Sequence, residues 1–125
     1  MKTKINVSSK SDEILSKIKS KFNIRPNIIC RYAILLSLRV DEEPKVCIDN
    51  SGREFNRITL TGDDDLILRE LIKMHYNAFI SDDEYMDVLL KSHLERGLTM
   101  LSNNIIQAKS FDNYLYQLIT NGELA

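Results

Sequence analysis

The chain has 125 residues, 43% of them hydrophobic and 28% charged, with a formal net charge of -1. That length supports one domain with its own core and is too short for two comfortable ones. No apolar run approaches the eighteen or so residues of a membrane span, and the basic start Met1-Lys2-Thr3-Lys4 leads to Ser8 and Lys10 without an apolar stretch, so the expected location is the cytoplasm, with no membrane contact.

The expected architecture is mainly α, with a ribbon-helix-helix-like N-terminal unit followed by a small helical bundle. Lys4 to Ser8 alternate polar and apolar, which predicts a short strand with Ile5 and Val7 on one face and Lys4, Asn6 and Ser8 on the other. A helix follows over 10–22, because Ile14, Leu15, Ile18 and Phe22 gather on one side of a helical wheel; Ser9 or Ser11 is the expected N-cap. Lys10, Lys17 and Lys21 fall together along one edge of that apolar stripe, and Lys19 lies beyond the other edge.

Asn23 and Ile24 end this helix, and Arg25-Pro26-Asn27 starts the next with proline at the first helical position, where its missing N–H costs nothing. The second helix runs to about Leu38 and is apolar nearly all round, which predicts burial on several sides. Residues 41–62 read as a linker, with a turn at Asp49-Asn50-Ser51-Gly52. Three helices follow, over about 63–79, 82–101 behind the capping box Ser81 to Glu84, and 110–121 up to Asn121-Gly122. The whole is expected to be one domain over 1–125: a basic strand-helix-helix unit to residue 40, the linker, and an acidic helical part from 63.

This division also sorts the charge. Residues 1–40 carry nine Lys or Arg against two Asp or Glu, whereas residues 41–125 carry eight against sixteen. A cationic end joined to an acidic body suits a polyanion-binding module with a separate assembly surface; a solvated lysine-rich face is the plain alternative. In a ribbon-helix-helix unit, strands from two chains pair and enter the major groove. Lys4, Asn6 and Ser8 would then point toward base edges, and the backbone N–H groups opening the helix near Pro26 and Asn27, with Arg25 beside them, toward a phosphate. Lys10, Lys17, Lys21 and Lys19 would meet the backbone by charge alone.

No catalytic residues and no cofactor are expected, since the chain has no glycine-rich phosphate loop and no nucleophile with a base and orienter. Asp63, Asp64 and Asp65 are consecutive and point around a helix start, which suits capping better than metal binding. Cys30 reads as a small buried hydrophobe, and Cys47 lies in the linker. His75 and His93 stand eighteen apart on separate predicted helices without a ligand pattern; surface or interface positions and no metal are expected.

Three strings carry a resemblance. Asn27-Ile28-Ile29-Cys30-Arg31, Glu54-Phe55-Asn56-Arg57-Ile58-Thr59-Leu60-Thr61-Gly62 and His93-Leu94-Glu95-Arg96-Gly97, in that order, resemble the DndE family of the bacterial DNA phosphorothioation (sulfur modification) system. The chain departs from the family in Arg25 before the proline and in a tail after about Lys109. The resemblance implies a non-catalytic accessory subunit, self-assembly into a homotetramer, and binding to double-stranded DNA, nicked duplex in particular, through surface lysines. It implies partnership with the other Dnd proteins, which supply desulfurase, iron-sulfur and ATPase functions. Two other readings stand beside it: a scaffold that organises those proteins, and a ribbon-helix-helix transcriptional regulator. Glu54, Asn56 and Arg57 are read as structural, fixing the acidic body against the basic unit.

Overall fold

In a computed structural model, residues 3–105 are described, and they are mainly helical. The expected helix over 110–121, with Phe111, Tyr114 and Tyr116, lies outside the described residues. The first element is the strand β1, Lys4–Asn6, with Ile5 and the following Val7 both buried. Its partner comes from this same chain. β2, Glu54–Asn56, pairs with it antiparallel in the register Lys4 with Asn56, Ile5 with Phe55 and Asn6 with Glu54. Backbone bonds extend the pairing, from Val7 N–H to the Arg53 carbonyl (3.1 Å) and from Gly52 N–H to the Val7 carbonyl (2.8 Å). A Cβ on Gly52 would overlap the Ser8 carbonyl oxygen, so the turn closes this tightly only with glycine there.

Helix α1, Ser9–Phe22, is capped by Ser8, not by Ser9 or Ser11: its hydroxyl accepts from Ser11 N–H at 3.0 Å. It ends on Asn23, in the left-handed region at φ 56°, a conformation asparagine tolerates better than most residues. Helix α2, Pro26–Leu38, has proline in its first turn and buries Ile29, Cys30, Ala33, Ile34, Leu36 and Ser37. Three other helices, described below, cover it together with α1, while Ile28 and Leu35 stay exposed.

The supposed linker is structured at its end. After β2, Asn56 caps a four-residue helix α3, Arg57–Leu60, its side-chain oxygen accepting from Ile58 N–H at 3.3 Å. A 3₁₀ turn over Gly62–Asp64 leads into α4, Asp65–Tyr76, shorter at both ends than the periodicity predicts and stopped by Asn77 at φ 61°. Ser81 then opens α5, Asp82–Glu84, accepting from Glu84 N–H at 3.2 Å as the capping box predicts. A π-helical turn over Tyr85–Leu89 carries the chain into α6, Leu90–Ile105. α6 forms the spine of the fold: Leu90, Leu94, Leu98 and Leu101 are fully buried, and its principal partner is α2.

Arg57 ties these pieces together. Its guanidinium donates to Asp65 through Nε (3.0 Å) and Nη2 (2.8 Å), and to Asp82 through Nη1 (3.0 Å). Asp65 also accepts from the hydroxyls of Thr61 (2.7 Å) and Tyr85 (3.3 Å). Burial pushes the Asp65 carboxyl up, but these donors outweigh it and hold the group below the ordinary carboxylate range. The guanidinium is in turn held more firmly protonated, chiefly by its bonds to Asp65. Arg57 thus joins α3 to the starts of α4 and α5, within the linker and the acidic part, rather than fixing that part against the basic unit.

Candidate nucleic-acid interface

The basic residues of α1 are distributed by the helical repeat. Ile14, Leu15 and Ile18 turn into the core, which leaves Lys10, Lys17, Lys19 and Lys21 exposed. Lys10, Lys17 and Lys21 line a groove of about 410 Å³ between α1 and α6, shared with Glu13, Ile14, Ile18, Phe22 and Ser102. Lys19 lies outside it. At 1.5 Å per residue, the ridge from Lys10 to Lys21 is about 16 Å long, and Lys21 Nζ stands 5.2 Å from the ring centre of Phe22.

The direction of this helix is set from the far end of the chain. The Glu95 carboxylate on α6 accepts from the Ser8 backbone N–H (3.1 Å), from the Ser8 hydroxyl and from the Ser11 hydroxyl (2.6 Å). A carboxylate is well placed there, because the start of a helix presents unsatisfied N–H groups and the positive end of its dipole. Further along α1, Arg53 donates to Asp12 (2.6 Å) and to the Ser16 hydroxyl (2.8 Å).

The other candidate contact residues are engaged within the chain. Lys4 pairs with Glu54 at 3.6 Å across the small sheet. The Asn6 amide donates to the Gly52 carbonyl (3.4 Å), and the Asn27 amide to the Thr59 carbonyl (3.3 Å). Arg25 is exposed and its carbonyl accepts from the N–H groups of Ile28 and Ile29 at 3.1 Å, but its side chain provides no cap to α2. The fold thus brings Lys10, Lys17 and Lys21 together and sets Lys4, Asn6, Arg25 and Asn27 elsewhere.

Residues that sequence reasoning missed lie on α2 and next to it. Arg31 donates to the carbonyls of Leu60 (2.8 Å) and Thr59 (3.2 Å) and pairs with Asp64 at 3.6 Å. Gly62 stands beside this guanidinium at φ 53°, a left-handed backbone conformation that favours glycine. Arg31 and Gly62 both belong to the strings that carry the family resemblance, which was the one available signal. Cys30 is buried as expected, and burial pushes its thiol up, out of the reactive range.

His93 corrects another expectation: it is fully buried, not at the surface. Burial, with His75 and Arg96 adding to it, pushes its pKa down to about 4, so the ring is neutral near pH 7. The His75 ring meets it edge-on, the ring centres 4.9 Å apart.

With this geometry established, comparison with known proteins is decisive. A family model described as "DNA sulphur modification protein DndE" matches residues 4–109. The chain belongs to the DndE family. DndE proteins also appear among solved structures. The crystal structure of DndE from Escherichia coli B7A, involved in DNA phosphorothioation modification, is similar with a TM-score of 0.66 and 20% identity, covering 78% of this chain and 96% of that one. A DndE G21/24K mutant involved in DNA phosphorothioation is similar with a TM-score of 0.65 and 23% identity, covering 82% and 99%. No curated protein matches. Membership of the DndE family places the chain in DNA phosphorothioation modification, and the two likenesses show the fold. No helix among the described residues is long and apolar enough to cross a membrane.

Proposed function

We propose that the chain is a non-catalytic, DNA-binding accessory subunit of the phosphorothioation machinery, which holds duplex DNA, nicked duplex in particular, through the lysines of α1. The observation that carries this reading is the alignment of Lys10, Lys17 and Lys21 along one groove of a helix whose core side is fully committed. Phosphate binding needs only positive charge at suitable spacing, and a ridge of about 16 Å spans roughly five base steps at 3.4 Å each. Family membership supports DNA and the other Dnd proteins as partners, and those partners supply the sulfur chemistry. Lys19, beyond the opposite edge of the apolar stripe, and Lys4, Asn6, Arg25 and Asn27 are secondary contacts in this reading.

Backbone recognition is favoured over base reading because Lys4 and Asn6 already have partners within the chain. A ribbon-helix-helix dimer would have to use the remaining edge of β1, since β2 occupies one edge. Self-association, as a homotetramer, is supported by large apolar residues left exposed on α4, among them Leu66, Ile67 and Met74.

The test measures binding to intact and nicked duplexes of one sequence across several salt concentrations, with solution mass recorded alongside. Affinity that falls steeply with salt, and is higher for the nicked duplex, is the expected result. A specific-to-nonspecific affinity ratio well above one would favour the regulator instead. The scaffold reading, in which the apolar second helix and the acidic body organise the other Dnd proteins, requires no salt-dependent DNA affinity.

A further inference from the structure

The chain has two histidines, and the fold brings both of them to one carboxylate. Glu43 follows α2, His75 lies in the last turn of α4 and His93 in the first turn of α6; one ligand-type atom from each lies within 4.8 Å of the other two. His75 Nδ1 is 2.7 Å from the Glu43 carboxylate, while its Nε2 is 2.6 Å from the Val40 carbonyl. His93 Nδ1 is 2.9 Å from the Ser37 hydroxyl. His93 Nε2 is buried and has no hydrogen-bond partner.

That last atom requires an explanation, because an unsatisfied buried polar group costs about 1–3 kcal/mol. A lone pair on Nε2 that faces a cation would remove the cost. The second nitrogen of each ring is already held by an oxygen, through Val40 for His75 and Ser37 for His93. This is the arrangement that orients metal-ligating histidines, since the outer N–H donates to a carbonyl or hydroxyl and fixes the tautomer. We propose that Glu43, His75 and His93 bind one divalent transition-metal ion, zinc being the best match. The ion replaces the proton between His75 Nδ1 and Glu43 and takes His93 Nε2 as its third ligand.

The geometry needs only local adjustment. Zinc bonds of about 2.0–2.2 Å in a tetrahedron put neighbouring donor atoms roughly 3.4 Å apart. The His75–Glu43 contact must therefore open and the widest separation must close, and exposed Glu43, outside the helices, is the ligand that can move. Imidazole and carboxylate together suit zinc and its neighbours in the first transition row, and disfavour calcium or magnesium, which prefer all-oxygen shells. Arg96 is an opposing charge that His93 feels. Its donors are spent on the Ser37 hydroxyl (2.8 Å) and on the carbonyls of Ser37 (2.7 Å) and Glu42 (2.6 Å), which keeps the guanidinium aimed at oxygens. Bound there, the ion would clamp the segment after α2 onto α4 and α6, leaving its fourth position to water.

The experiment uses the full chain without an affinity tag, stripped by chelator and titrated with zinc by calorimetry, and with cobalt(II) for its visible spectrum. The expected result is one zinc per chain, a thermal midpoint that rises with zinc, and a cobalt spectrum of tetrahedral intensity without a thiolate charge-transfer band. Glu43→Gln, which alters an exposed side chain, and His75→Gln should each weaken zinc binding by more than about tenfold while circular dichroism stays that of the wild type. Equal affinity in wild type and Glu43→Gln, or a cobalt spectrum showing thiolate ligation from Cys47, would overturn the proposal. So would the absence of stoichiometric binding of zinc, cobalt, nickel or copper to the wild-type chain.

Discussion

Gly97 of α6 lies so close to Ala33 of α2 that a Cβ at Gly97 would overlap the Ala33 carbonyl oxygen. By helix propensity alone, Gly97→Ala should stabilise α6 by about 1 kcal/mol. The backbone contact reverses that sign, because α2 would have to move away from the helix that covers it. We expect a net loss of about 2–3 kcal/mol, seen as a lower urea midpoint at unchanged m value.

Arg57 is nearly buried, with its guanidinium shared between Asp65 and Asp82. Removing one member of such a set strands the others, so Arg57→Ala should lose about 3–5 kcal/mol. DNA affinity, measured where the variant is still folded, should change little. Unchanged stability with lost DNA binding would move Arg57 from the scaffold of the fold to its binding surface.

Asp65 provides the pH dependence. Its folded-state pKa is depressed below the unfolded value of about 3.9. The folded form therefore holds its proton less tightly, so the stabilisation is complete above about pH 4 and is lost as pH falls through the depressed value. Asp65→Asn should be less stable at neutral pH and should show a shallower decline in acid. Parallel wild-type and variant curves below pH 4 would contradict this.

For the lysine ridge, replacing Lys10, Lys17 and Lys21 together with alanine should weaken binding to a nicked duplex without altering solution mass. If each lysine meets one phosphate, the log-log salt slope should flatten by about 0.9 per lysine, or about 2.7 in all. Unchanged affinity at low salt would exclude the ridge as the contact surface.

Glu95 accepts three hydrogen bonds from Ser8 and Ser11. Glu95→Gln keeps the shape but removes the charge, and bonds to charged groups are worth about 1.5–3 kcal/mol each. We expect a loss near the lower end, about 2 kcal/mol, with faster hydrogen exchange at the first amides of α1 than elsewhere in the helix.

What could be read from the sequence was what is local in it. The repeat of Ile14, Leu15 and Ile18, the Pro26 start and the Ser81 box need only a few neighbouring residues, and they gave α1, α2 and the opening of α5 nearly to the residue. The Asp49 turn was similarly legible, with Ser51 N–H donating to the Asp49 carboxylate at 2.8 Å. β2 was not, because three residues around Phe55 become a strand only by pairing with Ile5, fifty positions earlier. The lysine ridge followed from the helical wheel, whereas its tether to Glu95 did not: strings of high specificity marked Glu95 and Arg57 without saying what they touch. The meeting of His75 with His93 is likewise a property of how α4 approaches α6, to which spacing along the chain is blind.

The bond between Ser8 and Glu95 also orders events in time. The carboxylate that anchors the start of the lysine helix is translated 87 residues after Ser8, on the order of 4–17 s later at the usual rate of elongation. Through that interval α1 lacks α6 to pack on, and short helices hold poorly alone. The lysine helix therefore exists as chain well before the side chain that anchors its start.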